Sequence, residues 1–310
     1  MQIQKKLENL IENFKNGEKY ALAKIISLVE NNINYAWEII EQLPEPSKDT
    51  QIIGITGSPG AGKSTYVSKL VNEWAKEGLK VGVLAIDPSS PFTGGAFLGD
   101  RIRMRNISSK ENVYIRSVAS RGSVGGLCDS VYDIVDVMKS FGFDKIIIET
   151  VGAGQSEIEI IFVADTIMLV LSPNTGDEIQ MFKAGIMEIA DAYVINKMDL
   201  PESNKFMIQL KNTLALENES KSRTILPVSS IRNEGIKESI SWINKHFEEL
   251  KLSGEYEYRK KRRMKRRVRS SIIRNIDNMI ENYSFNFENM VELKKEILKS
   301  ICEVDENEKD

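Results

Sequence analysis

A glycine-rich loop that ends in a lysine and a serine is the clearest chemical signal in this sequence. Residues 57–64 fit the pattern G-x-x-x-x-G-K-[ST], between a predicted strand and a predicted helix. Glycines let backbone N–H groups converge on phosphate oxygens, and the amino end of the helix adds partial positive charge. The predicted phosphate-binding residues are Gly57, Ser58, Pro59, Gly60, Ala61, Gly62, Lys63, Ser64 and Thr65.

Three side chains at the end of this loop have separate predicted roles. The Lys63 ammonium supplies a mobile cation for the β- and γ-phosphates, so we also expect it to act in catalysis. The Ser64 hydroxyl is a predicted ligand of Mg²⁺, and Thr65 is placed to reach the α-phosphate. The alternative is an ordinary glycine turn, which the strand-loop-helix context disfavours.

Acidic residues at the ends of predicted strands are candidate ligands of the same Mg²⁺, because this ion prefers carboxylates and other hard oxygen ligands. Glu149 and Asp87 each close a short apolar run, and Asp100 follows a glycine-rich stretch. The alternative for each residue is that it merely caps the next helix.

The segment after Glu149 has the composition of a loop that responds to the γ-phosphate. Gly152 can offer a backbone N–H to that phosphate and flex when the phosphate leaves. Gln155 is a candidate for orienting the attacking water, since phosphoryl transfer to water needs mainly positioning and charge stabilisation. From the residues alone, this role of Gln155 stays open.

A second motif predicts which base is bound. Residues 196–199 follow a predicted strand and fit N-K-x-D. The Asp199 carboxylate can accept from N1–H and the 2-amino group of guanine, whereas adenine would leave it unpaired. The Lys197 stem can lie on the base plane, and Asn196 can link this loop to the phosphate loop. We therefore predict GTP and GDP, rather than ATP, as ligands.

Two serines follow the next predicted strand and are further candidates for the base site. The backbone N–H groups of Ser229 and Ser230 could reach guanine O6. A plain strand-to-loop serine pair is the alternative.

Short apolar runs alternate with helical patterns through the middle of the chain. Such runs predict strands that are buried on both faces, and the alternation predicts an α/β fold with a doubly wound, mainly parallel sheet. Ligands of these sheets bind beyond the carboxyl ends of the strands, where the candidate residues lie. The predicted strands are 52–56, 81–86, 113–117, 145–149, 166–171, 192–195 and 225–228, and the predicted helices are 63–76, 128–141, 178–189, 205–216 and 236–250.

Composition argues against several other classes of protein. The two cysteines, Cys128 and Cys302, are far apart, which argues against a disulfide scaffold and for the cytoplasm. No apolar leader follows Met1, and no apolar run approaches the ~20 residues that span a bilayer, so we expect no membrane segment. The single histidine, His246, falls in a predicted amphipathic helix, which nearly excludes histidine-based metal or triad chemistry.

Helical patterns flank the α/β part at both ends. One occupies residues 3–43, and the other, in the last sixty residues, has a basic first half and an acidic terminus at 303–310. Nine cations are crowded between Arg259 and Arg269. They could bind nucleic acid. No aromatic residues are interleaved for base stacking, so we favour a solvated helical face.

Several stretches make the sequence resemble the methylmalonyl-CoA-mutase-associated GTPases of the MeaB/ArgK type, which are relatives of the nickel-inserting GTPases. They run through the whole core, and Glu149, in place of the aspartate of most GTPases, is among the more specific marks. Met198 and residues 91–97 depart from the family pattern. The matching stretches are 54–65, 87–90, 98–101, 121–127, 149–157, 176–178 and 196–199.

The resemblance implies three domains and a partner. It implies an N-terminal helical segment at 1–48, a P-loop GTPase domain at 49–251, and a C-terminal helical dimerisation arm at 252–310, and hence a homodimer. The partner is an adenosylcobalamin-dependent acyl-CoA mutase of the methylmalonyl-CoA mutase type. GTP hydrolysis would gate the loading of the cofactor and protect or reactivate the mutase.

The resemblance also implies roles for single residues. Mg²⁺ contacts are implied for Ser64, Asp87, Asp100 and Glu149. A mobile loop at 174–183 would couple the nucleotide to the partner, and its Lys183 is a candidate charge donor in catalysis, together with the arginines at 101, 103, 105 and 121.

Two other functions are possible on the same fold. A nickel metallochaperone needs clustered His or Cys ligands, and one histidine with two scattered cysteines cannot form such a site within a protomer. A kinase acting on a transport binding protein would typically use ATP, which N-K-x-D disfavours.

Overall fold

A seven-stranded sheet is the centre of the fold, and the described strands pair only in parallel. The computed structural model describes residues 2–31, 36–87, 107, 109–119, 130–150, 159–173, 185–217, 223–282, 294–295 and 299. The strands are β1 (Gln51–Thr56), β2 (Val81–Asp87), β3 (Val113–Ala119), β4 (Lys145–Thr150), β5 (Thr166–Leu171), β6 (Ala192–Ile195) and β7 (Thr224–Pro227), in the order β3-β2-β4-β1-β5-β6-β7. The predicted doubly wound α/β fold is confirmed.

Helices precede, connect and follow these strands. Most of the predicted helices are present within two residues of the expected bounds, while residues 178–184 of one of them lie outside the described part. The helices are α1 (Gln2–Lys15), α2 (Lys19–Asn31), α3 (Ala36–Glu41), α4 (Lys63–Lys76), α5 (Ser130–Ser140), α6 (Ile186–Ile189), α7 (Ser203–Glu217), α8 (Ile236–Leu252) and α9 (Glu255–Asn282), with a 3₁₀ turn at Ile160–Phe162.

Helices cover both faces of the sheet, which explains why strands such as β1, β5 and β6 are buried along their whole length. On one face, α4 and α8 pack Trp74 and Ile243 against strand residues such as Ile147. On the other face, α1, α2, α3 and α5 share one apolar cluster with β1, β2 and β4, and α6 and α7 form a second cluster with β5 and β6. The N-terminal helices therefore share the core of the sheet.

The order of the strands creates a switch point at β1. From β1 the chain moves past β4 to β2 and β3, returns to β4, and then crosses to β5 on the other side of β1. In open α/β sheets the ligand binds outside the carboxyl ends of the strands at such a point. The phosphate loop follows β1 directly.

An ion pair ties the start of α9 to the amino ends of β5 and β6. Arg259 makes two hydrogen bonds of 2.9 Å to the Asp191 carboxylate and a third, of 2.6 Å, to the Asp165 carbonyl.

His246 stacks on Trp242 with ring centroids 4.9 Å apart, and its Nδ1 lies 3.0 Å from the Thr166 hydroxyl. The histidine is thus half-buried and structural, as expected.

Contacts between residues divide the chain into two compact units, 1–260 and 261–310. Among the described residues, no helix is long and apolar enough to span a membrane.

Candidate functional site

The predicted phosphate loop connects β1 to α4 through two positions that only glycine suits. Gly57 has a φ of 142° and Gly62 a φ of 89°, which side chains with a Cβ rarely adopt. A Cβ on Gly57 would lie 2.1 Å from the Val170 carbonyl oxygen, and one on Gly62 would lie 2.4 Å from Asn196 Nδ2. Close packing therefore fixes the loop against β5 and against the loop after β6.

Lys63 begins α4 and is held against the loop. Its side chain is buried, and its Nζ donates to the carbonyl oxygens of Gly57 at 2.7 Å and Ser58 at 3.1 Å. Pro59 and Gly60 are exposed at the tip of the loop. The ammonium thus lies against the segment whose N–H groups we expect to hold phosphate.

Ser64 and Glu149 meet at the start of α4. Glu149 lies in β4 beside Ile55 of β1 and is fully buried. The Ser64 hydroxyl donates to Glu149 Oε1 at 2.8 Å. A hydroxyl and a carboxylate are hard oxygen ligands of the kind that Mg²⁺ takes together with phosphate oxygens and water. The pair fits this ion, and its two members are 85 residues apart in the chain.

Within the described part of the chain, no group of three or more His, Cys, Asp or Glu side chains is placed to hold a metal ion.

Asn196 links the phosphate loop to the loop after β7. It is buried, and its Nδ2 donates to the Ala61 carbonyl at 2.9 Å and the Gly62 carbonyl at 3.3 Å. Its Oδ1 accepts from the Ser230 hydroxyl at 2.9 Å and from the Ser230 N–H at 3.2 Å. One amide side chain therefore sets the distance between the candidate phosphate and base sites.

Asp199 receives a hydrogen bond from Ser229. The Ser229 hydroxyl donates to Asp199 Oδ1 at 2.6 Å. This hydrogen bond is the main cause that lowers the pKa of Asp199, helped by the Asp199 N–H and by the charges of Arg232 and Lys197. With its remaining lone pairs, an ionised Asp199 can accept hydrogen bonds from the N1–H and the 2-amino group of guanine.

The two serines after β7 have a role that the sequence did not predict. We expected their N–H groups to face guanine O6, but the Ser229 N–H donates to the Glu234 carbonyl at 3.1 Å, and the Ser230 N–H faces Asn196. Their hydroxyls hold Asn196 and Asp199 instead. Their contact with the base stays a prediction.

The backbone of the N-K-x-D loop is held in an unusual conformation. Lys197 has a φ of 61°, which is uncommon for a residue other than glycine. Its carbonyl accepts from the Leu200 N–H at 2.9 Å and from the Ser203 hydroxyl at 2.7 Å. These bonds maintain the turn that presents Asp199, and no pattern in the sequence indicated Ser203.

Several predicted site residues cannot be placed. Asp87 is the last residue of β2 and pairs with Ala119 of β3, so it lies at the end of a strand, as predicted. Its role as a metal ligand stays a prediction. Asp100, Gly152, Gln155 and Lys183 lie outside the described residues, as do the arginines at 101, 103, 105 and 121. Their roles stay predictions.

The fold and this site define a P-loop NTPase with the N-K-x-D element of guanine-specific enzymes. Residues 22–284 match the sequence profile of the family described as methylmalonyl Co-A mutase-associated GTPase MeaB. Because the match spans most of the 310 residues, the chain belongs to this family of GTPases.

Individual relatives agree with this assignment. A putative GTPase of Pyrococcus abyssi is 45% identical over 263 residues, which are 83% of this chain and 81% of the relative. The methylmalonic aciduria type A homolog, mitochondrial, of Caenorhabditis briggsae is 39% identical over 208 residues, 62% of this chain and 50% of the relative. A crystal structure of LAO/AO transport system kinase matches with a TM-score of 0.71 and 24% identity, over 97% of this chain and 92% of that chain. At this identity the structural match supports the fold alone.

Proposed function

We propose that the protein binds GTP with Mg²⁺, hydrolyses it, and acts as a chaperone of an adenosylcobalamin-dependent acyl-CoA mutase of the methylmalonyl-CoA mutase type. Hydrolysis gates the loading of the cofactor and protects or reactivates the mutase. The main support is the contact between the Ser64 hydroxyl and the buried Glu149 carboxylate at 2.8 Å, beside the phosphate loop. The partner is proposed because the family description names an association with that mutase.

In this proposal some residues of the site bind the phosphates, and others bind the metal ion or stabilise the charge that develops during hydrolysis. Lys63 and the loop amides hold the β- and γ-phosphates, and Ser64 and Glu149 hold Mg²⁺, which supplies positive charge where phosphate charge develops. Asp87 and Asp100 complete the metal site. Gly152 binds the γ-phosphate, Gln155 orients the attacking water, and Lys183 adds a cation. Of these residues, Asp100, Gly152, Gln155 and Lys183 lie outside the described part of the chain.

We further propose that the protein is a cytoplasmic homodimer whose arm, 252–310, forms the contact. The support is a shallow groove of about 600 Å³ on α9, lined by Met264, Val268, Ile272 and Ile273 together with two cations. Met264, Val268 and Ile272 are spaced four residues apart and present exposed apolar side chains on one helix face, which is an expected feature of a contact between proteins. Size-exclusion chromatography with light scattering tests the dimer, and Val268→Glu should yield monomers.

Calorimetry with GTP, GDP and ATP, with and without Mg²⁺, tests the ligand. We expect GTP and GDP to bind and ATP to bind at least about 100-fold more weakly, because adenine leaves Asp199 without donors. Asp199→Asn should shift the preference from guanine to xanthine nucleotides, since the amide can donate to the additional carbonyl of xanthine. Equal affinity for ATP and GTP would refute the proposed specificity.

Hydrolysis assays with and without a mutase test the chaperone role. The isolated protein should hydrolyse GTP slowly, at ~10⁻⁴ s⁻¹, as expected for water attack without an arginine supplied by a partner. A methylmalonyl-CoA mutase from the same organism should raise this rate. Fast hydrolysis that no acyl-CoA mutase changes would argue against the coupling while leaving GTP binding intact.

A further inference from the structure

The cations at the start of α9 occupy two different faces of the helix. Four exposed ones are Lys260, Lys261, Lys265 and Arg269. Four others, which we call the arginine face, are buried or half-buried: Arg262, Arg263, Arg266 and Arg267. The spacing of one and four residues places these arginines on one side of the helix. Arg259 lies on the same side of the helix by this spacing, but its partner is Asp191, so it is not counted in the arginine face.

The residue types follow this division. Three of the four exposed cations are lysines, whereas the arginine face contains only arginine. Arginine suits shielded ion pairs, because its planar guanidinium is weakly hydrated and binds carboxylates with two parallel hydrogen bonds. Arg263 is only 9% exposed, and each arginine of this face has an interaction partner. Four shielded cations this close together require anions nearby.

The chain ends in a segment with the complementary charge. Glu303, Asp305, Glu306, Glu308 and Asp310 are five acids among the last eight residues. The arginine face and this acidic terminus belong to the same compact unit, 261–310. A partner for the arginines is therefore available without leaving the unit.

Chain length allows the two segments to meet. From Arg266 to Asn282, α9 rises ~24 Å, and a helix returning over that distance needs about 16 residues. After a turn of about four residues, the return reaches position 303. The spacing of Leu293, Ile297, Ile301 and Val304 predicts such a helix with one apolar side. Lys294, Lys295 and Lys299 are helical and exposed, as the other side requires.

We propose that the acidic terminus of the chain, residues 303–310, docks on the arginine face of α9 in the same molecule. The terminus thereby neutralises the arginines and prevents them from binding other polyanions. The exposed groove around Val268 lies on a different side of the helix and stays available to a second copy of the chain.

Binding to labelled oligothymidylate at low salt tests the proposal. A chain ending at Cys302 should bind at least about tenfold more tightly than the full chain, because released arginines add phosphate contacts. Changing the four arginines to Gln in the shortened chain should remove this gain. The matched control changes the four exposed cations, K260Q with K261Q, K265Q and R269Q, and should retain it. Equal affinity of the full and shortened chains, or loss of the gain in this control alone, would overturn the proposal.

Disulfide formation tests whether the contact is made within one chain. In a Cys128→Ser background, Ser270→Cys introduces a thiol on the arginine face, and Cys302 precedes the acidic terminus. Mild oxidation should give a cross-linked monomer, whereas Val268→Cys on the groove side should give none. A dimer-sized product from Ser270→Cys would show that the terminus reaches a second copy, and absence of any product would show that it docks elsewhere. Either result would overturn the assignment.

Discussion

Ser229 and Asp199 are joined by a hydrogen bond of 2.6 Å across two loops, and this bond favours the ionised form of the Asp199 carboxylate. Ser229 is fully buried and its backbone is fixed by a two-bond bridge to Glu234. The hydroxyl therefore has a fixed position from which it stabilises the ionised carboxylate.

Ser229→Ala should weaken GDP binding by roughly tenfold, because a hydrogen bond to a charged group is lost. The substitution should also change how the affinity for GDP depends on pH. Guanine binding needs ionised Asp199, whose pKa is lowered, so the wild type should keep its affinity until the pH falls through that lowered value. The variant should lose affinity at a higher pH. Ser203→Ala, which affects the Lys197 carbonyl in the same loop, is the control and should leave the pH profile unchanged.

Ser64→Ala should reduce the gain in GTP affinity that Mg²⁺ provides. The variant loses the hydroxyl that we propose as a metal ligand and also the hydrogen bond to Glu149. GDP binding in excess chelator should change little, because the loop amides and Lys63 remain. Ser64→Thr keeps the hydroxyl and should retain most of the Mg²⁺ effect. An unchanged Mg²⁺ titration for Ser64→Ala would exclude this residue from the metal site.

Gly57→Ala should lower the free energy of unfolding by at least ~2 kcal/mol, because the new Cβ overlaps the Val170 carbonyl and the backbone is strained. Gly60→Ala is the matched control in the same loop. Its φ of 78° is also unfavourable for alanine, but no atom lies within 4 Å of the new Cβ, so the loss should be nearer ~1 kcal/mol. Urea unfolding of both variants measures the difference. If both variants lost the same free energy of unfolding, the backbone near Gly57 must have moved away from the Val170 carbonyl to make room for the new Cβ.

Arg259→Gln should destabilise the protein by about 3 kcal/mol, since it leaves the largely buried Asp191 carboxylate without its main partner. The neighbouring Lys260→Gln should change stability little, because Lys260 is exposed. Thermal unfolding at low and high salt distinguishes the two residues. If both variants unfolded like the wild type, the ion pair would not anchor the first turns of α9.

Much of the fold followed from local patterns. Strands buried on both faces, such as β1 and β5, are nearly continuous apolar runs between turn residues. The other five strands also contain short apolar runs, and all seven were found from the sequence. The phosphate loop and the N-K-x-D element were found because their chemistry needs fixed residue types at fixed spacing, and the structure places both at carboxyl ends of strands.

Contacts between distant segments could not be predicted in the same way. Arg259 looked like one of nine similar cations, and only the position of Asp191 at the amino end of β6 makes it structural. Likewise, Ser229 and Asp199 are 30 residues apart, and their contact depends on the pairing of β6 with β7. Such contacts follow from topology, which periodicity does not encode.

The position of each strand in the sheet also sets the order in which the site should fail. The phosphate loop directly follows β1, a central strand with a neighbouring strand on each side. Ser229 and Ser230 follow β7, which is an edge strand of the sheet. Border strands open with less free energy than central ones. Under mild urea, the protein should therefore lose its discrimination between purines while it still retains polyphosphate.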